Sequence, residues 1–220
     1  MQEASDDSRA AGGETPYPVQ FSVEYPEASN RLTALMRIVL VIPILVVSAF
    51  VSGAFTTGNQ SVDDYLAVFY AGGALWIAPL LMILFRQKYP RWWFDWNLEL
   101  SRFSARISAY ILLMRDEYPS TDEQQAVSLE IEYPDVERQL NRFLPIVKWL
   151  LVIPHMIILA VLAVGVLIVS VIAWLAVLTS GRYPQGLFTF VEGTLRWSFR
   201  AAAYAFMLTT DRYPPFRLSP

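Results

Sequence analysis

Trp149–Gly181 reads WLLVIPHMIILAVLAVGVLIVSVIAWLAVLTSG, about 33 consecutive residues without a charge. A helix crossing a bilayer needs roughly 20 apolar residues. The run is therefore too long for one upright span. Two short spans turning near Gly165 fit it; one long tilted helix after an interfacial piece is the competing reading. Two further uncharged runs, Ile38–Phe55 and Tyr65–Phe85, each have the length of a single span.

Working outward, the whole chain carries this bias. Of its 220 residues 55% are hydrophobic and 17% charged, whereas soluble domains hold about 25% charged residues. An ordinary soluble enzyme is excluded on that ground. With no cysteine and one histidine, His155, there is no disulfide, no thiolate nucleophile and no basis for a His-based triad or a metal centre. The net charge of -3 gives no general attraction to nucleic acid. No cofactor and no catalytic constellation is expected.

Residues 1–18 are polar and weakly acidic, and read as a disordered tail. The loop 58–64 holds Asp63 and Asp64 and no basic residue. Arg86, Lys88 and Arg91 follow the second apolar run, and Arg31 and Arg37 precede or open the first. Basic flanks favour the cytoplasmic side, so the N-terminus and the Arg86–Arg91 turn are placed on the cytoplasmic side of a membrane crossed several times. Trp92, Trp93 and Trp96 beside that turn suit the headgroup level.

Ordered landmarks recur along the chain. Val23-Glu24-Tyr25-Pro26 returns as Ile131-Glu132-Tyr133-Pro134, Arg31 with Ile42-Pro43 as Arg142 with Ile153-Pro154, Arg37 as Lys148, and Lys88-Tyr89-Pro90 as Arg182-Tyr183-Pro184. Each half closes on Tyr-Pro, at Tyr118-Pro119 and Tyr213-Pro214. The chain thus reads as two tandem membrane repeats, 19–119 and 120–217, forming one integrated membrane domain. Alternation at Val19, Phe21, Val23 and Tyr25, and at Val127, Leu129, Ile131 and Tyr133, predicts a strand opening each half. Strand edges cannot lie in hydrocarbon, which puts both on the cytoplasmic side, where they can pair. The expected fold is an all-α integral membrane protein: two tandem parallel repeats, about four transmembrane helices, two amphipathic helices and a small two-stranded cytoplasmic ribbon.

The polar stripes of the two amphipathic segments are the candidate site. Glu99, Arg102, Arg106 and Tyr110 share one helix face, as do Glu192, Arg196, Arg200 and Tyr204. Arginine suits phosphate through its bidentate geometry. Brought together, these residues form a candidate anionic-lipid or ligand site; the plainer reading is an interfacial helix with its arginines on lipid phosphates. His155 is read as a hydrogen-bonded structural residue, and the seven Tyr-Pro pairs as helix stops and interfacial anchors.

These motifs also carry a resemblance. Ile153-Pro154-His155, Gly181-Arg182-Tyr183-Pro184, Arg196-Trp197-Ser198, Arg200, Tyr204 and Asp211-Arg212-Tyr213-Pro214-Pro215-Phe216 resemble the bacterial, largely actinobacterial, domain-of-unknown-function family 4389, here in two tandem copies over about residues 16–217. The first half departs from the pattern, with Ile44 in place of the histidine and Phe103 in place of the tryptophan. The resemblance implies a membrane protein and supplies no catalytic residue. The expected function is a non-catalytic scaffold or accessory protein contacting lipid headgroups or partner proteins at the cytoplasmic face. The alternative is a small transporter or channel at the repeat interface. Its partners are the bilayer, anionic lipids and a membrane-protein partner or second copy, not nucleic acid.

Overall fold

The computed structural model describes residues 16–52, 77–121 and 123–220. Residues 1–15 of the expected tail 1–18, the acidic loop 58–64, Gly72-Gly73 and most of the Tyr65–Phe85 run lie outside the described residues; the end of that tail is instead packed on the core, with Tyr17 buried and its hydroxyl donating to the Arg212 carbonyl at 3.0 Å. Element order is β1 (Val19–Val23), α1 (Arg31–Ser52), α2 (Ile77–Arg86), α3 (Arg91–Ile111), β2 (Val127–Ile131), α4 (Val136–Gln139), α5 (Leu144–Leu151), α6 (Ile153–Ser180) and α7 (Gln185–Ala202), with a π turn at Ala203–Met207.

The two strands pair antiparallel, Val19 opposite Ile131 and Val23 opposite Val127. Their alternate residues Val19, Phe21, Val23, Val127, Leu129 and Ile131 are buried and the residues between them exposed, as a period of two requires. The buried face rests on α3 and α7. Arg102 Nε donates to the Leu129 carbonyl at 3.0 Å and Arg196 Nε to the Phe21 carbonyl at 2.8 Å. The Phe21 and Phe199 rings pack at 5.2 Å.

Beyond α3 and α7 lies a second helical layer of α1, α5 and α6. α6 meets α7 along a stripe of His155, Leu159, Val166, Ala173 and Val177, spaced at helical intervals. α1 presents Ile44 to Phe103 and Ile107 of α3, and its Ala34 carbonyl accepts from Trp174 Nε1 at 3.1 Å. The order is ribbon, polar-faced helices, apolar helices.

This corrects the expected four-span bundle of tandem parallel repeats. Among the described residues one helical stretch, Leu144–Ser180, is long and apolar enough to cross a membrane. Trp149–Gly181 does not fold back near Gly165. The helix runs through that glycine, whose missing side chain lets the Phe190 ring approach: a Cβ there would stand 3.3 Å from it. Gly165 serves close packing, not a turn. Pro154 sits at the second position of α6, where its missing N–H costs nothing, so it starts a helix instead of kinking one. The left-handed conformation appears at Gly181 (φ 71), where α6 stops with the Gly181 amide on the Val177 carbonyl, a common helix end. With one unbroken helix where a hairpin was expected, the halves are not copies of one membrane hairpin. Nor is α7 a helix lying in the interface. Residues all around it, from Phe188 to Ala201, are buried between the ribbon and α6.

Candidate functional site

The expected arginine site divides into two pairs. On α3, Arg102 holds the Leu129 carbonyl and Glu99 (2.6 Å), and Arg106 donates to the Ser120 carbonyl at 2.6 Å. On α7, Arg196 reaches the carbonyls of Phe21 and Leu218 and, at 2.6 Å, Glu192, whose same oxygen accepts the Val23 amide. Arg200 donates to the Ser219 carbonyl at 3.0 Å. Each guanidinium therefore engages backbone that has no other regular partner: ribbon edges and the irregular segments after each closing Tyr-Pro. A planar fork of donors suits that task. Arg200 is buried, has no carboxylate partner among the described residues, and lies near Arg196 and Arg217. Burial first, then those two charges, lower its pKa; an arginine stays protonated nonetheless.

The most deeply buried charges lie elsewhere. Lys148 on α5 is fully buried. Its ammonium contacts Asp211 at 2.7 Å, donates to the Thr210 carbonyl at 2.7 Å and stands 5.1 Å from the centre of the Tyr204 ring. Arg37 on α1 makes the matching set with Asp116, the Tyr110 carbonyl (2.7 Å) and the Tyr110 ring (4.5 Å). Each carboxylate also ties down the start of a helix, Asp116 through the Asn30 amide (2.7 Å) and Asp211 through the Asn141 amide (2.6 Å). Three residues before each aspartate stands a leucine with positive φ, Leu113 (62°) and Leu208 (58°). Such a backbone costs about 1–2 kcal/mol, and here it swings the aspartate back onto the buried cation. Tyr110 and Tyr204 thus lie under these pairs and not in a surface stripe. Reading the sequence equated Arg37 with Lys148 but missed the carboxylates. The signal was present: an aspartate stands two residues before each closing tyrosine, at Asp116 and Asp211.

His155 is fully buried. Its Nδ1 accepts from Trp197 Nε1 at 2.9 Å, and its ring stacks on Phe216 at 4.1 Å. Accepting at Nδ1 places the proton of the neutral ring on Nε2. Among the described residues no group of three His, Asp or Glu side chains could hold a metal ion.

The outer face of α6 is of another kind. Ile157, Val161, Val164, Ile168, Val171 and Leu175 form a continuous exposed stripe at intervals of three and four, each 53–68% exposed. α1 adds exposed Leu35, Val39 and Ile42. Such a contiguous apolar surface is unusual in water and marks an interaction face. Phe85, Trp92, Trp96 and Trp149 are exposed as well, as are Arg86, Lys88, Arg91 and Arg182. An open groove of about 600 Å³ lies beside Lys88, between Tyr89-Pro90 and Tyr133-Pro134.

Comparison with curated proteins and with solved structures gives no match. Residues 145–217, from the buried Lys148 to the segment carrying Phe216, match the family model described as a domain of unknown function, DUF4389.

Proposed function

We propose that this chain is a bilayer-bound, non-catalytic accessory or scaffold protein of a bacterial cytoplasmic membrane, with its ribbon on the cytoplasmic side. The observation that carries the reading is the uncharged, exposed stripe of α6. At about 25 cal/mol for each Å² of apolar surface removed from water, a face of this kind favours lipid over water. Arg182 follows the end of α6, and Arg86, Lys88 and Arg91 are exposed elsewhere on the surface; anionic headgroups attract exposed basic side chains near a bilayer by about 1 kcal/mol each. Headgroup contact falls to these residues and to the half-exposed Arg102 more than to Arg196 and Arg200, which are closed into the interior.

We further read the first half as a diverged second copy of the matched domain. Its support is the pairing of contacts: Arg37–Asp116 with Lys148–Asp211, Arg102 on β2 with Arg196 on β1, and the Tyr25 hydroxyl on the Tyr183 carbonyl with the Tyr133 hydroxyl on the Tyr89 carbonyl. A non-catalytic role is supported by the same contacts, because the buried charges are consumed by one another and by backbone.

Flotation with phospholipid vesicles tests the reading. The detergent-purified protein, reconstituted and spun in a density gradient, is expected to rise with vesicles of neutral lipid and to remain with them at alkaline pH and high salt. Protein left at the bottom of the gradient contradicts it.

A further inference from the structure

The order of layers fixes how the apolar face meets lipid. α6 has 28 residues, about 42 Å at 1.5 Å per residue, against a hydrocarbon core of about 30 Å. α7 lies alongside it, with Trp197 bonded to His155 and Phe190 against Gly165. On the far side of α7 the ribbon runs along the same axis. The Val23 amide meets Glu192, the Phe21 carbonyl meets Arg196, and the Tyr17 ring lies 5.8 Å from the Arg200 guanidinium. Going down β1 therefore means going up α7, and α7 in turn follows α6. The outward residues of that ribbon, Gln20, Ser22, Ser128 and Glu130, are exposed.

These contacts set the ribbon level with the first third of α6, so an upright α6 centred on the bilayer would draw the Ser22 end of the ribbon inside the edge of the hydrocarbon. A two-stranded ribbon with exposed polar side chains has no partner for them in hydrocarbon. Turned on its side, the same molecule has no such conflict. The ribbon faces water, α3 and α7 form the middle, and the apolar faces of α1 and α6 meet the acyl chains. The basic side chains then sit at both ends of the apolar stripe, Arg86 and Lys88 toward the start of α5, where Arg142 donates to the Leu84 carbonyl, and Arg182 beyond the end of α6.

We infer that α6 lies in the plane of one leaflet, with Ile157, Val164 and Val171 at a common depth, and does not cross the bilayer. The inference rests on the membrane reading above and goes beyond it by stating which surface is immersed and in what orientation.

The absence of native cysteine makes the test direct. Ile157→Cys, Val164→Cys, Val171→Cys and Ser22→Cys variants are spin-labelled one at a time and reconstituted in vesicles of mixed neutral and anionic phospholipid. Depth is read from the ratio of relaxation by oxygen and by a water-soluble nickel chelate. All four positions are exposed, so the substitutions leave the interior intact. The expected result is one common depth for the three α6 labels, within about 3 Å, and a fully aqueous label at Ser22. An upright helix instead places Val164 deepest, with Ile157 and Val171 each about 10 Å shallower on opposite sides; that profile overturns the inference while leaving membrane binding intact. Aqueous labels at all four positions, in protein that does not float with vesicles, overturn the membrane reading itself and the inference with it.

Discussion

Arg102 and Arg196 perform the same task on neighbouring helices, yet their surroundings differ. Each holds a strand carbonyl and a carboxylate of its own helix, but the Arg102–Glu99 pair is one third to one half exposed and the Arg196–Glu192 pair is nearly closed off. The carboxylate precedes its arginine by three residues in one case and by four in the other. The reason is Gly193, which stands where the first half has Glu99. A Cβ on Gly193 would lie 2.8 Å from the Leu218 Cβ and 2.9 Å from its carbonyl oxygen. The glycine lets the segment after Tyr213-Pro214 cross α7 and cover Arg196, and Glu192 takes over as partner. The Arg102 contact is open and the Arg196 contact is lidded.

The largest test of that comparison lies beneath it. Lys148 is fully buried while Arg37 keeps a more exposed carboxylate. Removing one member of a buried pair leaves an uncompensated charge and costs about 3–5 kcal/mol. Lys148→Ala is therefore expected to lower the unfolding midpoint strongly in chemical denaturation. Lys148→Met combined with Asp211→Asn, which keeps an acceptor for the Asn141 amide, should restore most of the loss, because the uncompensated buried charge is then gone.

Gly193→Ala comes next. The new methyl must displace the 213–219 segment, an overpacking cost of about 1–3 kcal/mol. Proteolysis between Tyr213 and Leu218 should accelerate in the variant, while cleavage around Tyr118 is unchanged. Equal protection in both proteins would mean the segment is held by Arg196 and Arg200 alone.

The two-stranded ribbon was legible in the sequence; the four-span bundle of tandem repeats read from it did not form. Period-two alternation located both strands, because a half-buried ribbon leaves no other pattern. The spacing of Glu99 with Arg102 and of Glu192 with Arg196 marked side chains that do pair on one helix, but not the burial of Arg196, Tyr110 and Tyr204. The number of spans was not legible, since hydropathy counts apolar residues without saying whether they meet lipid or a neighbouring helix. Gly165 looks like a turn in a string and is a packing site beside Phe190. The buried aspartates escaped because their pairing with Arg37 and Lys148 is set by Leu113 and Leu208, backbone positions that no side-chain pattern announces.

Alkaline pH probes the buried tyrosines of the core. Burial raises the pKa of Tyr17, Tyr89 and Tyr183 above the ordinary 10, to about 12 for Tyr183. The unfolded chain then loses its phenolic protons first. Stability is whole below pH 10 and falls as the pH rises beyond it, by at most about 1.4 kcal/mol per pH unit for each phenol. Denaturation midpoints measured from pH 9 to 11 should show this decline.

The smallest effect separates two tyrosines in matched places. The Tyr89 hydroxyl donates to the Met207 carbonyl at 2.9 Å, whereas the buried Tyr183 hydroxyl has no hydrogen-bond partner among the described residues. Tyr89→Phe is expected to cost about 1 kcal/mol and Tyr183→Phe to be neutral or mildly stabilising. Equal losses would show that both hydroxyls are bonded.

The central claim is that the apolar face, and not the arginine stripe, binds the bilayer. Vesicle flotation of two double variants tests it most directly: Val164→Glu with Ile168→Glu, and Arg102→Gln with Arg106→Gln, each first shown to be folded by circular dichroism. The account predicts that the glutamates release the protein from neutral vesicles while the glutamines leave it bound. Retention of the glutamate variant, or release of the glutamine variant, would contradict it.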